Sequence, residues 1–202
     1  MTDFLSLART QRLVPVLRAD DPAAAVTRVA ELVAAGCRVI ELTTTVPGWD
    51  RALGDAVERF GADGTLIGLG TVTTQEQATS AVRLGAAFLV SPYTAPAVRA
   101  VAADAHLPFL EGAFTPSELA SAAAHGPVKL FPAHVGGPTY LKSVLTILPA
   151  GTAVIPTGGI GLADVDAYLR AGAVAVGVGS VLPTDRDALE ELFAARFADA
   201  DG

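Results

Sequence analysis

The strongest constraint on this chain is its rhythm. Short apolar, β-branched runs alternate with alanine-rich segments of helical period from one end to the other. Eight runs qualify as strands: 13–17, 38–42, 66–69, 87–90, 108–110, 128–131, 153–156 and 174–177. Most are continuously apolar, the pattern of parallel strands covered on their outer face by helices. Four helical segments end in a glycine just before the next run, at Gly36, Gly85, Gly126 and Gly172, where left-handed backbone closes a helix. Their separations of 49, 41 and 46 residues leave room for two strand–helix units per interval, each of about 23 residues. Eight such units predict a closed (β/α)8 barrel of the TIM type, a single α/β domain over residues 1–202. An open doubly wound sheet is the competing architecture, but neither a long crossover nor a G-x-G-x-x-G fingerprint accompanies the runs.

Helix starts carry their own chemistry. Asp21-Pro22 offers an N-cap followed by proline in the first turn, and Thr115-Pro116-Ser117-Glu118 adds the glutamate of a capping box. Thr73 and Glu76 repeat that spacing without the proline.

With 21 acidic against 14 basic residues and a net charge of −7, the chain is a poor partner for nucleic acid or an anionic membrane. An anionic small molecule in a local pocket stays compatible with that balance. Cys37 is the single cysteine, which leaves no intramolecular disulfide or cysteine-based metal cluster and suits a reducing cytoplasm. No basic, apolar and small-residue succession marks a leader, and no apolar run reaches the roughly 18 residues of a spanning helix. A cytoplasmic protein is expected.

Against this background Pro127-Val128-Lys129-Leu130-Phe131-Pro132 stands out. It places one of only two lysines in an apolar strand. Burying an ammonium favours the neutral amine, and a neutral amine is a nucleophile able to form a Schiff base with a ketone. The two-residue period of a strand turns Val128 and Leu130 outward and Lys129 inward. In Val39-Ile40-Glu41-Leu42-Thr43 it turns Glu41 inward as well. A lysine and a carboxylate in one polar cavity can attack a carbonyl and move protons; a self-satisfied buried ion pair is the competing reading. Lys142, in a helix-like segment, reads as a solvated residue.

Active sites of such barrels lie at the C-terminal ends of the strands. Pro156-Thr157-Gly158-Gly159-Ile160 and Gly177-Val178-Gly179-Ser180 close the last two strands, where glycines let backbone amides approach a phosphate. Gly68-Leu69-Gly70-Thr71 offers a hydroxyl for a substrate or for a helix cap. Ser91-Pro92 reads as a turn, and Trp49 as a packing residue at the start of a helix. Among the histidines, His106 and His125 fall on the opposite, stability face; His134 follows the sixth strand and is near enough to enter the site. The three make no metal pattern.

Together these segments resemble the 2-keto-3-deoxy-6-phosphogluconate (KDPG) aldolase family: Val14-Pro15-Val16-Leu17-Arg18, Val39 to Thr43, Gly68-Leu69-Gly70-Thr71-Val72, Ser91-Pro92, Val128 to Pro132, Thr157-Gly158-Gly159-Ile160 and Gly177 to Ser180 follow in family order. The resemblance implies a (β/α)8 class I aldolase, usually a homotrimer and independent of a metal or other cofactor. It cleaves a phosphorylated 2-keto-3-deoxy sugar acid to pyruvate and glyceraldehyde 3-phosphate. It further implies that Lys129 forms the Schiff base and Glu41 is the acid/base. Thr71 and Thr157 hold the pyruvyl portion, and Gly158, Gly159, Gly179 and Ser180 bind phosphate. An aldolase for another acceptor, such as 4-hydroxy-2-oxoglutarate, and a non-catalytic sugar-phosphate-binding barrel are the alternatives.

Two departures and a mixture of branch features bear on substrate choice. Thr45 stands where phosphogluconate-type members carry an arginine, which leaves Arg18 as the candidate for that anion contact, as in the phosphogalactonate branch. Val46-Pro47-Gly48-Trp49 and Gly137-Pro138-Thr139-Tyr140-Leu141-Lys142 also resemble that branch, whereas Pro15 and the Pro156 loop resemble the phosphogluconate type. Glu111 replaces a proline usual before the glycine matching Gly112. A carboxylate there either acts on Lys129, meets a different substrate, or turns outward.

Overall fold

The computed structural model describes residues 4–198; residues 1–3 and 199–202 of the expected domain lie outside the described residues. Helices and strands alternate as α1 (Phe4–Gln11), β1 (Leu13–Leu17), α2 (Pro22–Ala34), β2 (Val39–Thr43), α3 (Trp49–Phe60), β3 (Leu66–Gly70), α4 (Gln75–Arg83), β4 (Leu89–Val90) and α5 (Pro96–Asp104). They continue as β5 (Phe109–Ala113), α6 (Pro116–Ala123), β6 (Val128–Leu130), α7 (Ala133–Leu145), β7 (Val154–Pro156), α8 (Val165–Arg170), β8 (Val176–Val178) and α9 (Arg186–Ala198). The eight strands pair in parallel in the order β7-β6-β5-β4-β3-β2-β1-β8. A bridge between Thr157 and Gly177, with a 3.0 Å hydrogen bond from the Val174 amide to the Val154 carbonyl, joins the outer two into a nearly closed barrel. Among the described residues no helix is long and apolar enough to cross a membrane.

All eight predicted runs contain a strand, with ends displaced by up to three residues. The largest displacement is at β5, which continues through Glu111 and Gly112 to Ala113 and pairs with β6 over that extension. A carboxylate and a glycine are weak strand formers, so local propensity hid what pairing supplies.

The helix ends follow the sequence closely. Gly36, Gly85, Gly126 and Gly172 all have positive φ, from 83° to 150°. The Asp21 carboxylate accepts the Ala24 amide at 2.8 Å, and Thr115 and Glu118 form both halves of a capping box. The box opening α4 is one residue further on than Thr73 and Glu76: Thr74 is the N-cap and Gln77 its partner. The sequence holds two overlapping boxes there, and either glutamate or glutamine can serve.

The two-residue phase sorts the core. Ile40, Leu42, Val128 and Leu130 pack outward against the helices, while Val14, Val39, Phe88, Val90, Leu110 and Ile155 fill the lower barrel. Below them α1 closes the barrel floor, with the Phe4 ring 4.5 Å from that of Phe88. Gln11 ties this helix in: its buried amide donates to the carbonyls of Leu13 (2.6 Å) and Val39 (2.9 Å) and accepts from the Arg38 and Val39 amides. The eight-unit rhythm starts at β1 and has no place for α1.

Above this apolar plug the barrel narrows its own side chains to glycine. Gly68 lies level with Glu41, and Gly112 with Lys129. A Cβ on Gly68 would run into the Phe88 ring, and one on Gly70 into the Glu41 carboxylate. Gly68→Ala is expected to lose about 1–3 kcal/mol through overpacking against fully buried Phe88, read as a lower urea midpoint. An unchanged midpoint would contradict the packing account.

Candidate active site

β2 carries Glu41 and β6 carries Lys129 into the upper barrel, each only 4% exposed. The Lys129 Nζ lies 3.6 Å from Glu41 Oε1, an ion pair longer than a hydrogen bond. Oε1 itself is buried without a hydrogen-bond partner among the described residues. Burial pushes the Glu41 carboxyl above the ordinary carboxylate range, against the opposing positive charges of Lys129 and Arg18. On its other side the lysine nitrogen faces the Phe131 ring, 5.2 Å from its centroid.

Lys129 opens into a cavity of about 350 Å³. Arg18, Thr71, Thr157, Gly158, Gly159, Gly179 and Ser180 all border it. Of the predicted site residues only Glu41 is absent from the lining, buried against the lysine. No Asp or Glu contributes to the wall, so a chain of net charge −7 presents a locally cationic pocket through Lys129 and Arg18. Such a pocket favours an anion and raises its local concentration.

The rim is shaped by backbone. Gly158 and Gly159 have φ of 95° and 68°, conformations that favour glycine. Their turn is fastened to the start of α7: the Ala133 amide donates to the Thr157 carbonyl (2.9 Å), and the His134 amide to that of Gly158 (3.1 Å). His134 Nδ1 lies 3.1 Å from the same Gly158 carbonyl, an acceptor that requires the ring nitrogen to donate. His134 thus reaches the glycine loop itself, a role its position after the sixth strand only hinted at. Thr71, at φ 58°, lines the cavity and caps no helix; Thr74 takes that task.

The departures noted in the sequence have separate fates. The exposed Thr45 bonds its hydroxyl to that of Thr43 at 2.7 Å, and Arg18 reaches the cavity. Glu111 turns outward, away from Lys129, and pairs with Arg99 of α5 at 2.7 Å. Ser91 is a turn residue: its hydroxyl donates to the Tyr93 carbonyl and accepts the Gly112 amide. Trp49 begins α3, half-buried against the outer core, and Lys142 is exposed. Gly68, Gly70 and Gly112 keep the upper barrel open by their missing side chains, and their inward phase in the strands is the sequence signal of that role.

The model of the KDPG and KHG aldolase family matches residues 5–194. A probable 2-dehydro-3-deoxy-6-phosphogalactonate aldolase of Rhizobium meliloti is 34% identical over 84% of this chain and 81% of its own. A 2-dehydro-3-deoxy-phosphogluconate aldolase of Pseudomonas aeruginosa is 33% identical over 81% of this chain and 74% of its own. Among solved structures, the KDPG aldolase of Legionella pneumophila, with pyruvate captured as a covalent carbinolamine, superposes with a TM-score of 0.83. It is 28% identical, over 96% of this chain and 98% of that one. On its sequence, its barrel and its relatives, this chain belongs to the KDPG and KHG aldolase family.

Proposed function

We propose that this chain is a class I aldolase that cleaves a phosphorylated 2-keto-3-deoxy sugar acid, of gluconate or galactonate type, to pyruvate and glyceraldehyde 3-phosphate. The observation that carries this reading is the buried Lys129–Glu41 pair, 3.6 Å apart, beside a cationic cavity rimmed by two glycine loops.

Lys129 Nζ attacks the C2 ketone to give a carbinolamine. The Glu41 carboxyl, whose hold on a proton burial strengthens, takes the ammonium proton as the amine is freed and donates it as the C2 oxygen leaves as water, which gives the iminium. The resulting carboxylate then takes the proton of the C4 hydroxyl. The C3–C4 bond breaks, its electron pair moves into the iminium as an enamine, and the aldehyde departs. Glu41 returns the proton to C3, and water releases pyruvate and the free amine. Thr71 and Thr157 hold the pyruvyl end, while Arg18 and the backbone of Gly158, Gly159, Gly179 and Ser180 hold the phosphate. The glycine loops favour a phosphorylated substrate over 4-hydroxy-2-oxoglutarate. We assign it to the cytoplasm, as its single, buried cysteine suits, and to a homotrimer, the usual assembly of the family it resembles.

Borohydride reduction with pyruvate is expected to leave one pyruvyl adduct on Lys129, found by peptide mass analysis and lost in Lys129→Ala. A folded wild-type protein without an adduct overturns the Schiff-base reading. Glu41→Gln is expected to keep the fold and lower kcat by about 10²–10⁴-fold.

The Glu41 carboxyl also predicts a pH signature. Because its folded-state pKa is raised, the folded protein keeps a proton that the unfolded chain releases above about 4.5. Its stabilising contribution is therefore full below that pH and lost as the pH rises through the folded value. Urea midpoints of Glu41→Gln should gain on the wild type across that rise; parallel profiles would contradict it.

A further inference from the structure

Glu111 is a buried carboxylate that the proposed mechanism leaves idle. Its side chain, 3% exposed, lies between β5 and α5. Oε1 accepts the Ala95 amide at 2.7 Å and Arg99 Nη2 at 2.9 Å; Oε2 accepts Arg99 Nε at 3.1 Å and Nη2 at 2.7 Å. This forked arrangement fixes direction as well as distance, and the Ala95 amide it binds belongs to the N-cap residue of α5.

The next residue of the strand holds the same segment from the other side. Gly112 points into the barrel level with Lys129, and a Cβ there would run into the backbone carbonyl of Pro92. Its amide donates to Ser91 Oγ at 3.2 Å, and Ser91 donates to the Tyr93 carbonyl at 2.7 Å. Two consecutive residues of β5 therefore grip residues 91–95 at both ends: Gly112 at the start, Glu111 at the finish. Pro92, in the middle, is a wall of the Lys129 cavity.

We propose that Glu111, with Arg99, is a positioning residue for substrate: it fixes the β4–α5 segment so that Pro92 stands where a ligand of Lys129 must pack. This rests on the aldolase reading for its substrate but not for its mechanics. A buried ion pair adds little net stability, and well-packed apolar residues of similar volume can replace it. They would supply no acceptor for the Ala95 amide, so the segment would lose its far anchor. Displacing a cavity wall by about 1 Å is enough to cost up to 10²-fold in a reaction.

The variants Arg99→Met/Glu111→Leu and Glu111→Gln test this. In the double variant the melting temperature should fall by only a few degrees, the cost of one Ala95 amide left without an acceptor. KM for the phosphorylated keto acid should rise about tenfold with kcat within about twofold, since Lys129 and Glu41 are untouched. Amide exchange should quicken in residues 91–95. Glu111→Gln keeps an acceptor for Ala95 and should fall between the double variant and the wild type in both KM and exchange. It carries the test alone should the double variant not fold. Wild-type KM and wild-type exchange in the folded variants overturn the proposal. Faster exchange confined to 91–95, in a protein whose wild type cleaves no keto acid, sustains the clamp and overturns the aldolase reading instead.

Discussion

Two opposite charges set 3.6 Å apart inside an apolar barrel impose the condition that the rest of the structure meets. Removing Lys129 and Glu41 from water is costly, and their attraction offsets that cost only with room and polar company. The barrel meets the condition by geometry. Strand phase turns both residues inward, and neighbouring strands present glycine beside them: Gly68 level with Glu41, Gly70 against its carboxylate, and Gly112 level with Lys129. Below, Phe4 and Phe88 seal the floor, so the polar volume opens in one direction, toward the strand ends.

In the proposed reaction, recognition is divided between two kinds of physics. At the deep end a charge pair and hydroxyls act through side chains whose positions the strands fix. At the rim, the glycine turns after β7 and β8 would act through backbone, and the turn after β7 is placed by contacts from α7, including both nitrogens that His134 directs to the Gly158 carbonyl. The overall acidity of the chain does not oppose an anionic ligand, because no acidic side chain enters the cavity wall.

Much of this was legible in the sequence because its determinants are local. Period-two phase put Lys129 and Glu41 on the inner face, and glycine punctuation located four helix ends. What escaped depended on packing between distant segments. The α1 plug and its Gln11 network follow from contacts with β1 and β2, which no rhythm encodes. Glu111 had three readings until Arg99, twelve residues away in sequence, took its carboxylate. The cap of α4 slipped by one residue because two equivalent boxes overlap. The cavity-forming glycines look like any strand glycine until the ring or carboxylate they make way for is known.

A crystal structure of the protein soaked with pyruvate tests the central claim most directly. The account predicts continuous density from Lys129 Nζ to C2 of pyruvate, with the Glu41 carboxyl beside the new bond. Pyruvate bound elsewhere in the barrel, or lying in this cavity with no bond to Lys129, would contradict it.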